Sequence, residues 1–144
     1  MEPVLLIIVV GLAGGVAVGL QSPLANMLSQ RLGVLESVFI VHLGGALIAL
    51  IPLLILGHRL GQWRSVPWYA LGAGVFGLAV IASVSYMIPR VGVAAAVTTL
   101  VSGQLLVGTI LDHFALLGSA GHPLNATRIV GLVIVLIGVW VTVR

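Results

Sequence analysis

Charged residues are so sparse along this chain that the apolar stretches between them can be read directly as membrane-spanning lengths. From Val4 no charge appears until Arg31, and further apolar runs occupy about 35–56, 67–88, 91–111 and 126–143. A spanning helix needs roughly 20 mostly apolar residues. The pattern therefore predicts an all-α integral membrane protein: five transmembrane helices in a single domain over 1–144. The first run, about 4–30, exceeds one simple span, so its helix is expected to be tilted, broken or extended beyond the hydrocarbon. Turn signals separate the runs: Gly33 after Arg31, Gly57-His58-Arg59 with Gly61, Pro89-Arg90 with Gly92, and Gly118 through Pro123. Pro67 ahead of Trp68-Tyr69 reads as a helix start with an interfacial aromatic anchor, with Trp63 before it and Trp140 at the far end of the last run. The links are short, so sequential helices are expected to pack as antiparallel neighbours. Only the stretch from Asp112 to Asn125 is long enough to fold over the surface.

An odd number of crossings puts the termini on opposite faces of the bilayer. Two such units are then inverted relative to each other, the construction on which many secondary transporters build a midplane binding site. Charge adds to this picture. The six arginines, with no lysine, divide three against three when loops are counted alternately: Arg59, Arg64 and Arg128 on one side, Arg31, Arg90 and Arg144 on the other. Orientation is normally fixed by an excess of basic residues in cytoplasmic loops. An even division permits insertion in both orientations, and hence an antiparallel homodimer. The plainer reading is that Arg31 and Arg128 lie partly inside helices and the even count is coincidence.

Composition agrees with the membrane class. Of 144 residues 60% are hydrophobic and 6% charged, against about 25% charged in a soluble domain. The basic balance reflects a handful of scattered arginines set against Glu2, Glu36 and Asp112, so it indicates no nucleic-acid site. Cysteine is absent, which removes disulfides and thiolate metal sites. Met1-Glu2-Pro3 lacks the basic start of a secretory signal, so the first apolar run is expected to stay in the mature protein.

Polar groups at membrane depth are costly unless they face protein or water, which makes each one a candidate. In the first helix Gly11, Gly15 and Gly19 form overlapping small-xxx-small motifs suited to close helix packing. Ser22, Asn26 and Gln30 continue the same stripe. Pro23 frees the carbonyl of Gly19 and invites a kink, which would leave Gln21 and Asn26 beside a bent or unwound turn. The fourth helix carries Thr98, Thr99, Ser102, Gln104 and Thr109, then Asp112-His113 near its end. Its hydroxyls can bond their own helix, whereas the Gln104 amide cannot satisfy itself. In the third helix Ser83 and Tyr86 share a face behind Gly72, Gly74 and Gly77. The second helix holds Glu36 near its start, where it can pair with Arg31 or favour the helix dipole, and His42 about two turns in. Gln21, Asn26, Gln104, Ser102 and Tyr86 are therefore the candidate substrate contacts. His42, Asp112 and Glu36 are the candidate coupling groups, against the plain alternatives of packing residues and interfacial pairs. No metal-ligand cluster, phosphate-binding loop or catalytic set is present, so no enzyme, cofactor or metal is expected. Asn125-Ala-Thr127 has the form of a glycosylation acceptor and equally of a helix cap.

At these residues the chain resembles the YdcZ-like branch of the drug/metabolite transporter superfamily, small bacterial inner-membrane proteins. The resemblance rests on Gln21-Ser-Pro-Leu-Ala-Asn26-Met-Leu with Arg31-Leu-Gly33, Val-His-Leu-Gly44, Trp68-Tyr-Ala-Leu-Gly72 with Gly74, and Ile88-Pro-Arg-Val-Gly92. It continues in Ser102-Gly-Gln104, Leu111-Asp-His-Phe114 and Arg128-Ile-Val-Gly131. It implies a five-helix unit equivalent to half of a ten-helix transporter. Related small multidrug exporters insert in both orientations and use a glutamate in their first helix. Here that helix offers Gln21 and Asn26, so the resemblance does not extend to cation-for-proton exchange. The expected function is alternating-access transport of small polar solutes, by an antiparallel homodimer or a heterodimer with a paralogue, across a cavity lined by the first, third and fourth helices. The alternatives are a non-transporting assembly subunit and a lipid-translocating protein.

Overall fold

The computed structural model describes residues 2–57 and 60–144; Met1, His58 and Arg59 lie outside the described residues, and with Arg59 one of the six charges in the loop count. Four long helices dominate: α1 (Glu2–Leu32), α2 (Val34–Leu56), α4 (Phe76–His113) and α5 (Ala126–Val143), with a short α3 (Trp68–Leu71) and 3₁₀ turns at Leu60–Ser65 and Gly72–Val75. No strand occurs among the described residues. Four stretches are long and apolar enough to cross a membrane: Val4–Leu32, Val34–Leu56, Trp68–His113 and Ala126–Val143. The third has 46 residues, about 70 Å if straight at 1.5 Å per residue, more than twice the hydrocarbon thickness of about 30 Å.

Two glycines account for the breaks. Gly33, between α1 and α2, has φ 112° and ψ 160°. Gly92, inside α4, has φ 81° and ψ 169°, so that element is two helices joined at a non-helical residue. Both conformations lie in a region that side chains with a Cβ essentially never occupy. Each glycine sits in the same short pattern, an arginine, an aliphatic residue, the glycine and a valine: Arg31-Leu-Gly33-Val and Arg90-Val-Gly92-Val. The chain uses one device twice.

The structure divides into two compact units, residues 1–86 and 87–144. In the first, α1 and α2 fold back on each other about Gly33. Their contact is built from small residues: Ala25, Ser29 and Ser37 are buried, and Ser37, fully buried, donates its hydroxyl to the Ala25 carbonyl at 2.9 Å. Small side chains let backbones approach where lipid removes any hydrophobic drive between helices. Of the bent or unwound turn expected at Pro23, the unwound form does not occur, because α1 remains one helix from Glu2 to Leu32. Proline deletes a single hydrogen bond, at Gly19. The turns on either side keep theirs, and the Ser22 hydroxyl adds a second donor to the Val18 carbonyl at 2.8 Å. The start of the expected third helix does depart from a single helix: Trp68–Leu71 passes into the 3₁₀ turn Gly72–Val75 before α4 begins. Two glycines in three residues weaken α-helical preference there.

In the second unit the chain between α4 and α5 is tightly held. Asp112 accepts from the Ser119 hydroxyl at 2.6 Å, its carbonyl accepts from the His122 amide at 2.9 Å, and its carboxylate lies 3.5 Å from the Arg128 guanidinium. Arg128 also donates to the His122 carbonyl at 3.0 Å. Asn125 caps α5 by accepting from the Arg128 amide at 2.9 Å, the cap reading of that triplet. At the other end of α5 the Arg144 guanidinium sits 3.5 Å from the centre of the Trp140 ring, an aromatic-cation pair suited to the membrane interface.

Candidate functional site

Within the first unit α1, α2 and the beginning of α4 enclose a cavity of about 370 Å³, in the range of small-molecule sites. Its walls are mostly apolar, with Val18, Val41, Val80 and Ile81 among them, and its polar groups are Gln21, Ser22 and His42. Ser22 is buried with its hydroxyl committed to Val18. Gln21 hydrogen-bonds to no described residue and remains exposed, as does His42, so the cavity is open on one side.

His42 is held in a defined state. Its Nδ1 lies 2.7 Å from the Val38 carbonyl oxygen, one turn back on α2. A carbonyl only accepts, so Nδ1 carries the proton and the neutral ring presents Nε2 as an acceptor. That atom faces Gly77 of α4, where a Cβ would collide with Nε2. Glycine at 77 is what lets the ring occupy its place. Among the described residues His42 is the only ionisable one lining this cavity.

The second unit has a separate groove of about 460 Å³ between α4 and α5, lined by Gln104, Gly108, Thr109, Asp112, Arg128 and Gly131 among others. Asp112 and Arg128 are paired there, while the Gln104 amide bonds to no described residue.

The sequence candidates are thus dispersed. Gln21 and His42 share the first cavity with Ser22. Asn26 lines neither space; its side-chain oxygen accepts from Gln30 Nε2 at 3.4 Å, and the same nitrogen lies 3.3 Å from the Ser85 carbonyl. Ser102 is buried, with its hydroxyl donated to the Thr98 carbonyl at 2.8 Å. Thr98, Thr99 and Thr109 bond back in the same way. Tyr86 is exposed. Asp112 holds the loop described above. Glu36 sits in the first turn of α2 with its carboxylate over Gly33, and makes no ion pair with Arg31. A Cβ on Gly11, Gly15 or Gly19 would meet nothing within 4 Å, so no described helix of the first unit packs closely on them.

Sequence reading missed three buried serines, Ser29, Ser37 and Ser85, the last donating its hydroxyl to the Ile81 carbonyl at 2.7 Å. Ser37 ties α2 to α1, and Ser29 has a buried hydroxyl without a partner among the described residues. A lone serine in an apolar run carries little signal, since only tertiary contact decides what it faces. The pairing of His42 with Gly77 was missed too, because the two positions are 35 residues apart.

Residues 6–141 match the family described as "Putative inner membrane exporter, YdcZ". No curated protein and no solved structure matches the chain.

Proposed function

The chain belongs to this exporter family and is a multi-pass inner-membrane transporter, and from that premise we propose that it is half of an alternating-access exporter of small solutes. The observation carrying the proposal is the open cavity of the first unit. It combines apolar walls with two unspent hydrogen-bonding groups, the Gln21 amide and His42 Nε2. Unsatisfied polar groups at membrane depth cost free energy, and a bound solute repays that cost.

On this reading the chain crosses the bilayer five times, the Trp68–His113 segment passing through twice and reversing at Gly92 as the first pair of helices reverses at Gly33. A second copy covers the open side of the cavity, and the unpacked ladder of Gly11, Gly15 and Gly19 is suited to receiving it. With five crossings and evenly divided arginines that copy is inverted, whether it is this chain or a paralogue. Gln104 stands as a further solute contact from the groove of the second unit. The assembly-subunit reading expects polar groups to be consumed in packing. The hydroxyls of Ser22, Ser37, Thr98, Thr99, Ser102 and Thr109 are consumed; the amides of Gln21 and Gln104 are not, which favours transport.

Single cysteines beside Arg64 and Arg144 test the arrangement, since the chain has none of its own. Membrane-impermeant reagent should label each from both faces, and one-sided labelling of both would exclude the antiparallel homodimer. In proteoliposomes, efflux of neutral amphiphilic solutes should fall several-fold in Gln21→Ala. Unchanged efflux would remove this cavity from the path.

A further inference from the structure

We infer that His42 Nε2 is the atom by which the cavity recognises its solute: it accepts a hydrogen bond from an N–H or O–H group on a small, neutral, mainly apolar molecule, and a proton arriving at the same atom expels that molecule. This rests on the proposal that the cavity is the transport site.

The assignment follows from how the ring is fixed. The bond from Nδ1 to the Val38 carbonyl at 2.7 Å leaves one tautomer for the neutral imidazole, with the Nε2 lone pair exposed beside Gly77. That lone pair accepts one hydrogen, which is either a solute's N–H or O–H or a proton from water. When protonated, Nε2 becomes a donor and the ring a cation. A neutral donor group then finds no acceptor there, and its apolar body shares a low-dielectric cavity with a charge that has no counter-ion. From α1 the cavity receives the neutral Gln21 and Ser22; from α4 it receives Gly77, Val80, Ile81 and Val84; no acid or other base lines it from α2. Glu36, two turns before His42 on its own helix, is directed over Gly33. No described residue of the cavity therefore compensates a charged imidazole, and proton and solute exclude each other at one atom.

The walls define the rest of the solute. An apolar body occupies the space between the valines and Ile81, and a volume near 370 Å³ admits a one- or two-ring molecule. The Gln21 amide can serve a second polar group on it.

The test uses the full chain in nanodiscs with ¹⁵N-labelled histidine, and indole and N-methylindole as probes. These are nearly equal in shape and differ in the single N–H. Indole should shift the His42 Nε2 resonance and leave Nδ1 unmoved, and it should bind about three- to tenfold more tightly than N-methylindole, as expected for one neutral hydrogen bond. Indole affinity should fall as the pH is lowered, towards about tenfold per unit once the ring is mostly protonated. His42→Gln keeps an acceptor without a titrating ring, so preference for indole should persist and its pH dependence vanish. His42→Leu should remove both. Gly77→Ala, whose Cβ displaces the ring, should behave like His42→Leu and guards against misfolding of the histidine variants. Equal, pH-independent binding of both probes would overturn recognition by His42 while leaving the cavity as a site. Failure of either probe to bind, with efflux unchanged in Gly77→Ala, would overturn the inference and the cavity together.

Discussion

Replacing Gly92 by alanine isolates the backbone cost of breaking a long apolar helix in the middle of its run. Gly92 has φ 81° and ψ 169°, and a Cβ there would meet nothing within 4 Å. No steric neighbour contributes, and the whole effect is conformational. Holding a residue with a Cβ in that region costs about 1–3 kcal/mol, or roughly 5- to 150-fold in the folding equilibrium. Gly33→Ala places the same demand at φ 112°, and its Cβ also meets the Glu36 carboxylate, the end of a flexible side chain that can swing aside. The two variants should therefore lose similar stability. Asparagine, which tolerates left-handed helical φ and ψ but not an extended ψ, should rescue neither. The control is Gly14→Ala, where the helix is regular and space is open; it should be neutral or stabilised by up to about 1 kcal/mol through helix propensity. Unfolding in mixed micelles, followed by far-ultraviolet circular dichroism, measures all five. If Gly92→Ala unfolds like the wild type, the helix passes through residue 92 unbroken and the argument for a reversal there is lost.

Ser37→Ala removes the buried donor to the Ala25 carbonyl and should cost about 0.5–1.5 kcal/mol; Ser37→Leu, forced into the same fully buried position, should cost more, and the micelle titration ranks them. Ser119→Ala removes one of the bonds holding the chain after α4, and amide exchange between 114 and 125 should quicken several-fold while exchange in α1 and α2 stays unchanged. Because Asp112 and Arg128 are each about a third exposed, Arg128→Gln should destabilise by less than about 1 kcal/mol. Gly15→Leu should leave the single chain folded, since no described residue of the first unit crowds that face, but should abolish chemical crosslinking between copies; persistent crosslinking would place the interface elsewhere.

Much of the architecture was legible because a bilayer imposes a length and a polarity on every helix. Runs free of charge gave the long apolar helices, and Gly33, Gly92 and Asn125 sit where turn and cap chemistry placed breaks. Legibility ended at Pro23 and at Gly72–Val75. Whether a local breaker unwinds a helix depends on what neighbouring turns contribute, and residue type does not record that. The candidate site was half legible. Gln21 and His42 stood out as polar residues in apolar runs, and they share a cavity. Asn26, Ser102 and Asp112 stood out for the same reason, yet they bond Gln30, the Thr98 carbonyl and the Ser119–Arg128 loop.

By itself the sequence determined the membrane class, the approximate helix limits and a short set of polar positions, because transfer of a side chain into hydrocarbon depends on what it is. Which of those positions keep a free hydrogen-bonding atom was decided only by the tertiary structure. Ser22 and Ser102 reach their own helices and are spent. His42 reaches its own helix with one nitrogen and has a second to offer, and the absence of a side chain at Gly77, on another helix, leaves that nitrogen facing a cavity.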